Sequence, residues 1–593
     1  MPFQVSPGIN ISEIDLTHVV PNVATSIGAI AGAFQWGPVM ERTSITTEND
    51  LVKTFGKPSA TSFLAFHTAS NYLAYSNNLL VVRCVGDNAK NAVVGNAVAG
   101  TPFKTDNVTD YDTDIGAYED QLFVAKYPGV LGNSLKVHAI DSAGWAASVS
   151  AGAATELQDL FKANFDRAPS TSTDVKNANG GSHVAHDEVH VMVIDEDGLW
   201  TGQPGQIIET HAYLSKAIDA KRIDGSSNYI GTVLRNESEY IYLGKSTELT
   251  ELSVDAGSEV DAGAVKTGAV FKRMNSAVDT QKFPGGSLSG GHNGGAIPDN
   301  CDITSGQLRA GYALYINPEV VDVTLIIGGQ AVIANDNQYL VKSIAEKRMD
   351  CIALVSPLSD DVVQTTGETD KLVAASTGIG SSSYGVLDSA WKYQYDRYND
   401  VFRYIPMCGD IAGLCARTDF TNDAWWSPAG MTRGTIKNIV KLSWEPTKAD
   451  RDKMYQNNVN PLITMKGAGV LLWGDKTLQA VPSAFDRINV RRLFIVLEKA
   501  IAIAAKAMLF EFNDEFTRAQ FVNMVAPFLR EVQGRRGITD FKVVCDSSNN
   551  TGQVIDTNNF VGDIYIKPAR SINFIQLNFI AARTDVSFSE IGG

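Results

Sequence analysis

Val321-Asp-Val-Thr-Leu-Ile-Ile327, then Gln338–Lys347, then Cys351-Ile-Ala-Leu-Val355 read as an apolar strand, a helical period and a second apolar strand. Strands that are apolar on both faces and alternate with helices belong to a sheet covered on both sides, so this stretch predicts strand–helix–strand units of an α/β domain. Working outward, the mixed α/β style continues to the C-terminus. There Arg491–Phe512 reads as one long helix, interrupted by too many charges (Glu498, Lys499, Lys506 and Glu511) to be a membrane span. No membrane insertion is expected.

Upstream, residues from about 93 to 310 are rich in Gly, Ala, Ser, Asn and Asp, with short alternating runs such as Val189–Ile194 and Tyr240–Leu243. That composition predicts one or two inserted β-rich domains. The Gly-rich stretch Pro284–Gly295 reads as a loop or boundary. Both ends of the chain alternate like lone strands. Phe3, Val5, Ile9 and Ile11 do so at the start, with Pro7 marking an edge strand or detached arm; Val586 and Phe588 do so at the end.

With 593 residues, 44% of them hydrophobic and 20% charged, the chain is too long for one core and too apolar for disorder. Its net charge of −16 argues against nucleic acid as a partner, since duplex binding needs a basic face. The charge is uneven. Residues 451–593 hold 17 Lys and Arg against 14 Asp and Glu, a balance of +3, which leaves −19 for residues 1–450. The start, MPFQVSPGIN, has no basic region followed by an apolar one, so no secretory signal is expected. The six cysteines lie far apart and read as buried free thiols.

Three patterns raise the question of chemistry. His183, His186 and His190, with Glu188 among them, are metal-like in composition, and a metal-dependent enzyme centred on these histidines is the rival reading from another class. Yet Glu188 is one place late for the zinc-protease pattern. The alternation of Val189, Val191 and Val193 makes this a strand, on which residues four apart sit roughly 13 Å from each other. Gly469–Thr477 nearly spells a phosphate-binding loop, but Lys476 is displaced behind Asp475 and the interior is bulky, so a strand ending in a turn is expected. No nucleophile elbow or Cys/His arrangement stands out, so no catalytic residue, cofactor or metal is expected. Finally, Arg492, Lys499 and Lys506 recur every seven residues, with Arg491 beside the first, as a basic stripe on an otherwise apolar helix.

Ser6–Asp15, Gly32-Ala-Phe-Gln-Trp-Gly-Pro38, Thr54-Phe-Gly56 and Leu80-Val-Val-Arg83 resemble the opening of myovirus tail sheath proteins. Lys392–Asp400, Asp410–Asp419, Trp425–Gly430, Gly474–Thr477, Phe485–Phe494, Val544–Asp546 and Pro568–Ile572 continue that resemblance in order, so it spans residues 6–95 and 300–593. In the turn Leu288-Ser-Gly-Gly291 this chain continues with His292-Asn293-Gly294, a departure from the acidic residue and Gly of many sheath proteins.

The resemblance implies a mixed α/β, or α+β, multidomain chain with a C-terminal α/β core, extended terminal strand arms and inserted β-rich outer domains. The expected divisions are a strand arm at 1–20, part of the sheath domain at 21–95, outer insertions at 96–300, an α/β sheath domain at 301–450, an α/β domain facing the tube at 451–580 and a strand arm at 581–593. It also implies a structural subunit that polymerises as stacked hexameric rings around a tail tube protein, between baseplate and tail terminator proteins, and contracts to drive the tube through the host envelope. Such a subunit would be assembled in the host cytoplasm and reside in the virion tail. A related contractile injection system is the alternative within the same class. In either assembly Val5, Ile9, Ile11, Val586 and Phe588 would anchor strands added to neighbouring subunits, and the stripe of Arg491, Arg492, Lys499 and Lys506 would face the tube.

Overall fold

The computed structural model describes residues 24–94, 104–114, 122–147, 153–178, 186–244, 284–573 and 576. Its centre is a seven-stranded sheet in the spatial order Val459–Asn460, Gly385–Asp388, Ile352–Val355, Leu325–Ile327, Gly28–Ala33, Leu79–Cys84 and Arg42–Ile45. All neighbours are parallel except the edge strand Arg42–Ile45. Strand Gly28–Ala33 pairs with Leu79–Cys84 on one side and Leu325–Ile327 on the other, so residues 24–94 and the segment after 300 share one sheet.

Alternation along these strands feeds two apolar layers. Ile30, Val81, Leu325, Ile327, Ile352 and Leu354 point into the first, beneath helices Phe63–Leu73 and Cys408–Thr421. Ala29, Ala31, Val82, Ile326, Ala353 and Val355 point into the second, beneath helices Ser305–Ala313 and Glu368–Ile379. The helical period after Leu325–Ile327 forms as read, running through Ala334–Tyr339, Leu340–Ala345 and Glu346–Arg348, with a π-helical middle segment. Helix Phe63–Leu73 lies so close to the sheet that a Cβ on Gly32 would stand 2.4 Å from the Ala65 methyl.

Between strands Leu79–Cys84 and Leu325–Ile327 the chain builds a separate antiparallel sheet, ordered Gln206–Ser215, Glu188–Asp195, Leu135–Ile140 and Gly285–Ser287. The Gly-rich stretch is therefore more than a loop, because its first residues are the fourth strand. Gly285, at φ +136°, passes so close that a Cβ there would lie 2.0 Å from the Val137 carbonyl oxygen, which only glycine accommodates. Arg83, fully buried, holds this insertion to the core by donating to the carbonyls of Phe34 (2.9 Å), Gln35 (3.0 Å), Gly37 (2.8 Å) and Pro128 (2.7 Å).

The C-terminal part packs helix Ile488–Ala505 against helix Glu515–Gly534, which begins where Asp514 accepts from the Thr517 amide at 2.8 Å. Helical spacing places Phe521, Val525, Leu529 and Val532 on one buried face, against Leu493, Leu497 and Ala500. The first helix is shorter than the sequence suggests. It gives way after Ala505 to a 3-10 turn at Lys506–Met508, leaving Leu509, Phe510 and Phe512 in solvent.

Candidate functional site

Strands Ile538–Val544 and Asp563–Pro568 form a two-stranded antiparallel sheet on the helix Glu515–Gly534. Phe541, Val543, Ile564 and Ile566 pack toward the helix, while Asp540, Lys542, Tyr565 and Lys567 face outward. Among the described residues neither outer edge has a partner. Each edge therefore presents a row of unpaired N–H and C=O groups, and two strands alone make a marginal sheet.

The chain leaves the second strand and runs into a cleft of about 970 Å³. One wall is the loop Trp425–Arg433, helix Lys448–Gln456 and the turn Trp473–Asp475; the other is Gln533–Thr539 and the departing tail Ala569–Asn573. Asp475, with a side chain 4% exposed, is the hub. It accepts from Ser427 Oγ at 3.0 Å, Ser571 Oγ at 2.7 Å, Tyr455 OH at 3.4 Å and Arg487 Nη1 at 3.3 Å. Four separate segments, including the base of the C-terminal tail, thus meet on one carboxylate. Asn573 joins them, its carboxamide oxygen accepting from Arg487 Nη2 at 2.9 Å.

The same geometry disposes of the phosphate-loop likeness. Gly469–Leu472 is a strand, as expected, and Lys476 donates its Nζ to the Tyr455 carbonyl at 2.7 Å while its backbone N–H donates to Asn460 Oδ1 at 2.7 Å. In the sequence Asp475 stands out only through the displaced motif and the resemblance. Nothing in its own neighbourhood of sequence announces that Ser571, 96 residues on, is its partner.

The basic stripe requires correction. Arg491, 4% exposed, lies between the rings of Tyr384 (4.4 Å) and Phe485 (4.6 Å) and pairs with Glu498 at 3.4 Å. Arg492, also 4% exposed, pairs with the buried Asp419 and donates to the carbonyls of Cys415 and Thr25, both at 3.3 Å. Lys499 pairs with Asp322. Only Lys506 is exposed. The sevenfold spacing is real, but the helix enters the core at its N-terminal end, so three of the four cations bind within the subunit. The exposed feature at its far end is apolar instead, comprising Leu509, Phe510, Phe512 and Phe516.

The histidine reading fares differently residue by residue. His183 lies outside the described residues. His190 stands on strand Glu188–Asp195, stacked on Phe165 at 4.2 Å, and both ring nitrogens are engaged. Its Nδ1 accepts from the Tyr213 amide at 3.0 Å and its Nε2 donates to the Arg167 carbonyl at 3.1 Å, which fixes a neutral tautomer. Burial pushes its pKa below the ordinary imidazole value. His186 Nδ1 lies 3.1 Å from Ser142 Oγ. Among the described residues no group of three His, Cys, Asp or Glu side chains could hold a metal. Likewise, among these residues no helix is long and apolar enough to cross a membrane. The six cysteines are free and buried. The strand anchors Val5, Ile9, Ile11, Val586 and Phe588 lie outside the described residues.

Comparison with known proteins adds an independent line. A family model described as the phage tail sheath protein central domain matches residues 319–478, and one described as the phage tail sheath C-terminal domain matches residues 480–582. The tail sheath protein of Enterobacteria phage T4 is 35% identical, over 99% of this chain and 99% of that protein. That of Vibrio phage KVP40 is 33% identical, over 99% of this chain and 100% of that protein. In fold, the crystal structure of a sheath tail protein from Listeria innocua superposes with a TM-score of 0.50 at 12% identity, covering 92% of this chain and 96% of that one.

Proposed function

The chain belongs to the phage tail sheath proteins, and from that premise we propose that it works by polymerising around a tail tube through strands exchanged between copies. The carrying observation is the two-stranded sheet Ile538–Val544 and Asp563–Pro568, with both edges open among the described residues. Strand addition to such an edge satisfies the exposed backbone groups, and apolar anchors supply the side-chain contribution. The terminal segments 3–11 and 584–591 have the required alternation, with Val5, Ile9, Ile11, Val586 and Phe588 as the anchors. Each anchor, fully buried, contributes roughly 1.5–3 kcal/mol before ordering costs, which is modest per subunit and cumulative along a polymer.

In this reading rings of six stack into a sheath between baseplate and terminator in the virion tail, after assembly in the host cytoplasm. The strand links persist while subunits slide during contraction. Residues 451–580 face the tube, and the surface meeting it is the exposed end of helix Ile488–Ala505, with Lys506, Leu509, Phe510, Phe512 and Phe516. The insertion within 96–300 forms the outer surface. The work is structural and requires no cofactor or metal.

Electron microscopy of the purified protein tests this directly. Long hollow six-fold tubes are expected from the full chain, and soluble protein without tubes from a chain lacking residues 1–15. Normal tubes from that truncation would overturn the strand-exchange reading.

A further inference from the structure

The cleft beside Asp475 is cationic in an acidic protein. Five of its lining residues are basic (Arg433, Lys448, Arg451, Arg536 and Arg570) against two acidic, Asp452 and Asp475, and Asp475 is already paired with Arg487. Lys448, Arg451, Arg536 and Arg570 form no ion pair among the described residues, so their charge is unspent. Arg433 and Arg536 both stack on Trp426, at 5.1 and 5.4 Å, which holds two guanidiniums on one wall. Trp473 and Ile572 are exposed in the cleft, at 42% and 81%. Unspent cations beside the exposed surface of Trp473 and Ile572 together describe a receptor for an acidic, partly apolar peptide.

We propose that this cleft binds the segment around Glu13 and Asp15 of a second copy of the chain, immediately after that copy's strand 3–11 has paired with the edge of Ile538–Val544. The inference rests on the strand-exchange reading above and deepens it. Residues 1–23 contain Glu13 and Asp15 and no Lys or Arg, whereas residues 574–593 carry Arg583 with Asp585 and Glu590. Charge complementarity therefore selects the N-terminal segment over the C-terminal one. Direction agrees. Ile538, the first residue of its strand, lines the cleft, so a strand added antiparallel to Ile538–Val544 runs toward it. From Ile11 to Glu13 is about 7 Å of extended chain, which carries the first carboxylate past the sheet's end and among the arginines. The cleft thereby fixes the register of the added strand, which the sheet edge alone specifies weakly.

The test is a charge exchange in the full-length chain. Glu13→Lys with Asp15→Lys reverses the segment; Arg451→Glu with Arg536→Glu reverses two cations that hold no ion pair among the described residues. Each reversal alone is expected to raise the critical concentration for sheath formation about tenfold or more, a factor equivalent to ~1.4 kcal/mol. The combined chain is expected to recover most of that loss, with unchanged melting temperatures as the control on folding. Assembly of either reversed chain as the wild type, or a combined chain no better than its parents, would overturn the assignment. A further chain with Asp15→Cys and Arg451→Cys should give crosslinked multimers on oxidation; a purely intramolecular crosslink, or none, counts equally against it. Deletion of residues 3–11 separates the two levels. If that deletion assembles normally, strand exchange itself is wrong; if it fails while the charge reversals assemble normally, only the cleft assignment falls.

Discussion

Replacing Asp475 by Asn removes one charge and keeps the volume. The carboxylate receives four donors, and its ion pair with Arg487 is mostly buried, with side-chain exposures of 4% and 19%. Breaking a fully buried pair costs about 3–5 kcal/mol and an exposed one at most about 1, so this pair falls near 2. The Ser427 and Ser571 hydroxyls exchange a charged acceptor for a neutral one, at roughly 1 kcal/mol between them, since they can turn toward water in an open cleft. The expected total is about 3 kcal/mol. It should be local to the cleft, because the hub joins segments and does not fill the core. Urea unfolding followed by tryptophan fluorescence reports it through Trp425, Trp426 and Trp473, which line the same cleft. Hydrogen exchange should quicken at Ala569–Asn573 before the core sheet responds. A loss below about 1 kcal/mol, or unchanged exchange at the tail's base, would refute the hub.

Other perturbations probe the rest of the subunit. Lys392 and Asp410 are a fully buried ion pair at 2.9 Å, so Lys392→Met or Asp410→Leu alone should cost about 3–5 kcal/mol while the double substitution costs much less, measurable as a coupling energy by denaturant unfolding. His190 is held neutral with its pKa depressed by burial, near Arg167 and Asp166. The unfolded chain therefore takes up its proton first as pH falls below 6.5, the inserted sheet loses stability in that direction, and His190→Gln should flatten the fall of stability below pH 6.5. Phe510→Ser with Phe512→Ser, at two side chains exposed in the subunit, should change stability by less than about 0.5 kcal/mol while reducing assembly on isolated tubes.

The core was legible because its strands are apolar on both faces and its helices recur between them. Val321–Ile327 and Cys351–Val355 announce neighbouring parallel strands without any knowledge of tertiary partners. What sequence could not supply was the direction in which charged side chains turn. Arg491 and Arg492 have the spacing of a surface stripe, yet Tyr384 and Asp419, distant in sequence, draw them inward. Gly285 was legible as a turn residue but not as a strand, because the reason for glycine is the Val137 carbonyl passing 2.0 Å from where a Cβ would stand. The open sheet edges and the cleft were hidden for the same reason. They are relations between segments: Trp425–Gly430, Gly474–Thr477 and Pro568–Ile572 stand out one by one in the sequence, but nothing in it says that they meet.

Strand exchange is the central claim, and a structure of the assembled sheath tests it most directly. The account predicts that in the polymer the two-stranded sheet becomes a larger one, with residues 3–11 of another copy antiparallel to Ile538–Val544 and Glu13 and Asp15 beside Arg451 and Arg536. Bare edges along Ile538–Val544 and Asp563–Pro568, with each subunit's terminal strands folded back on itself, would contradict it.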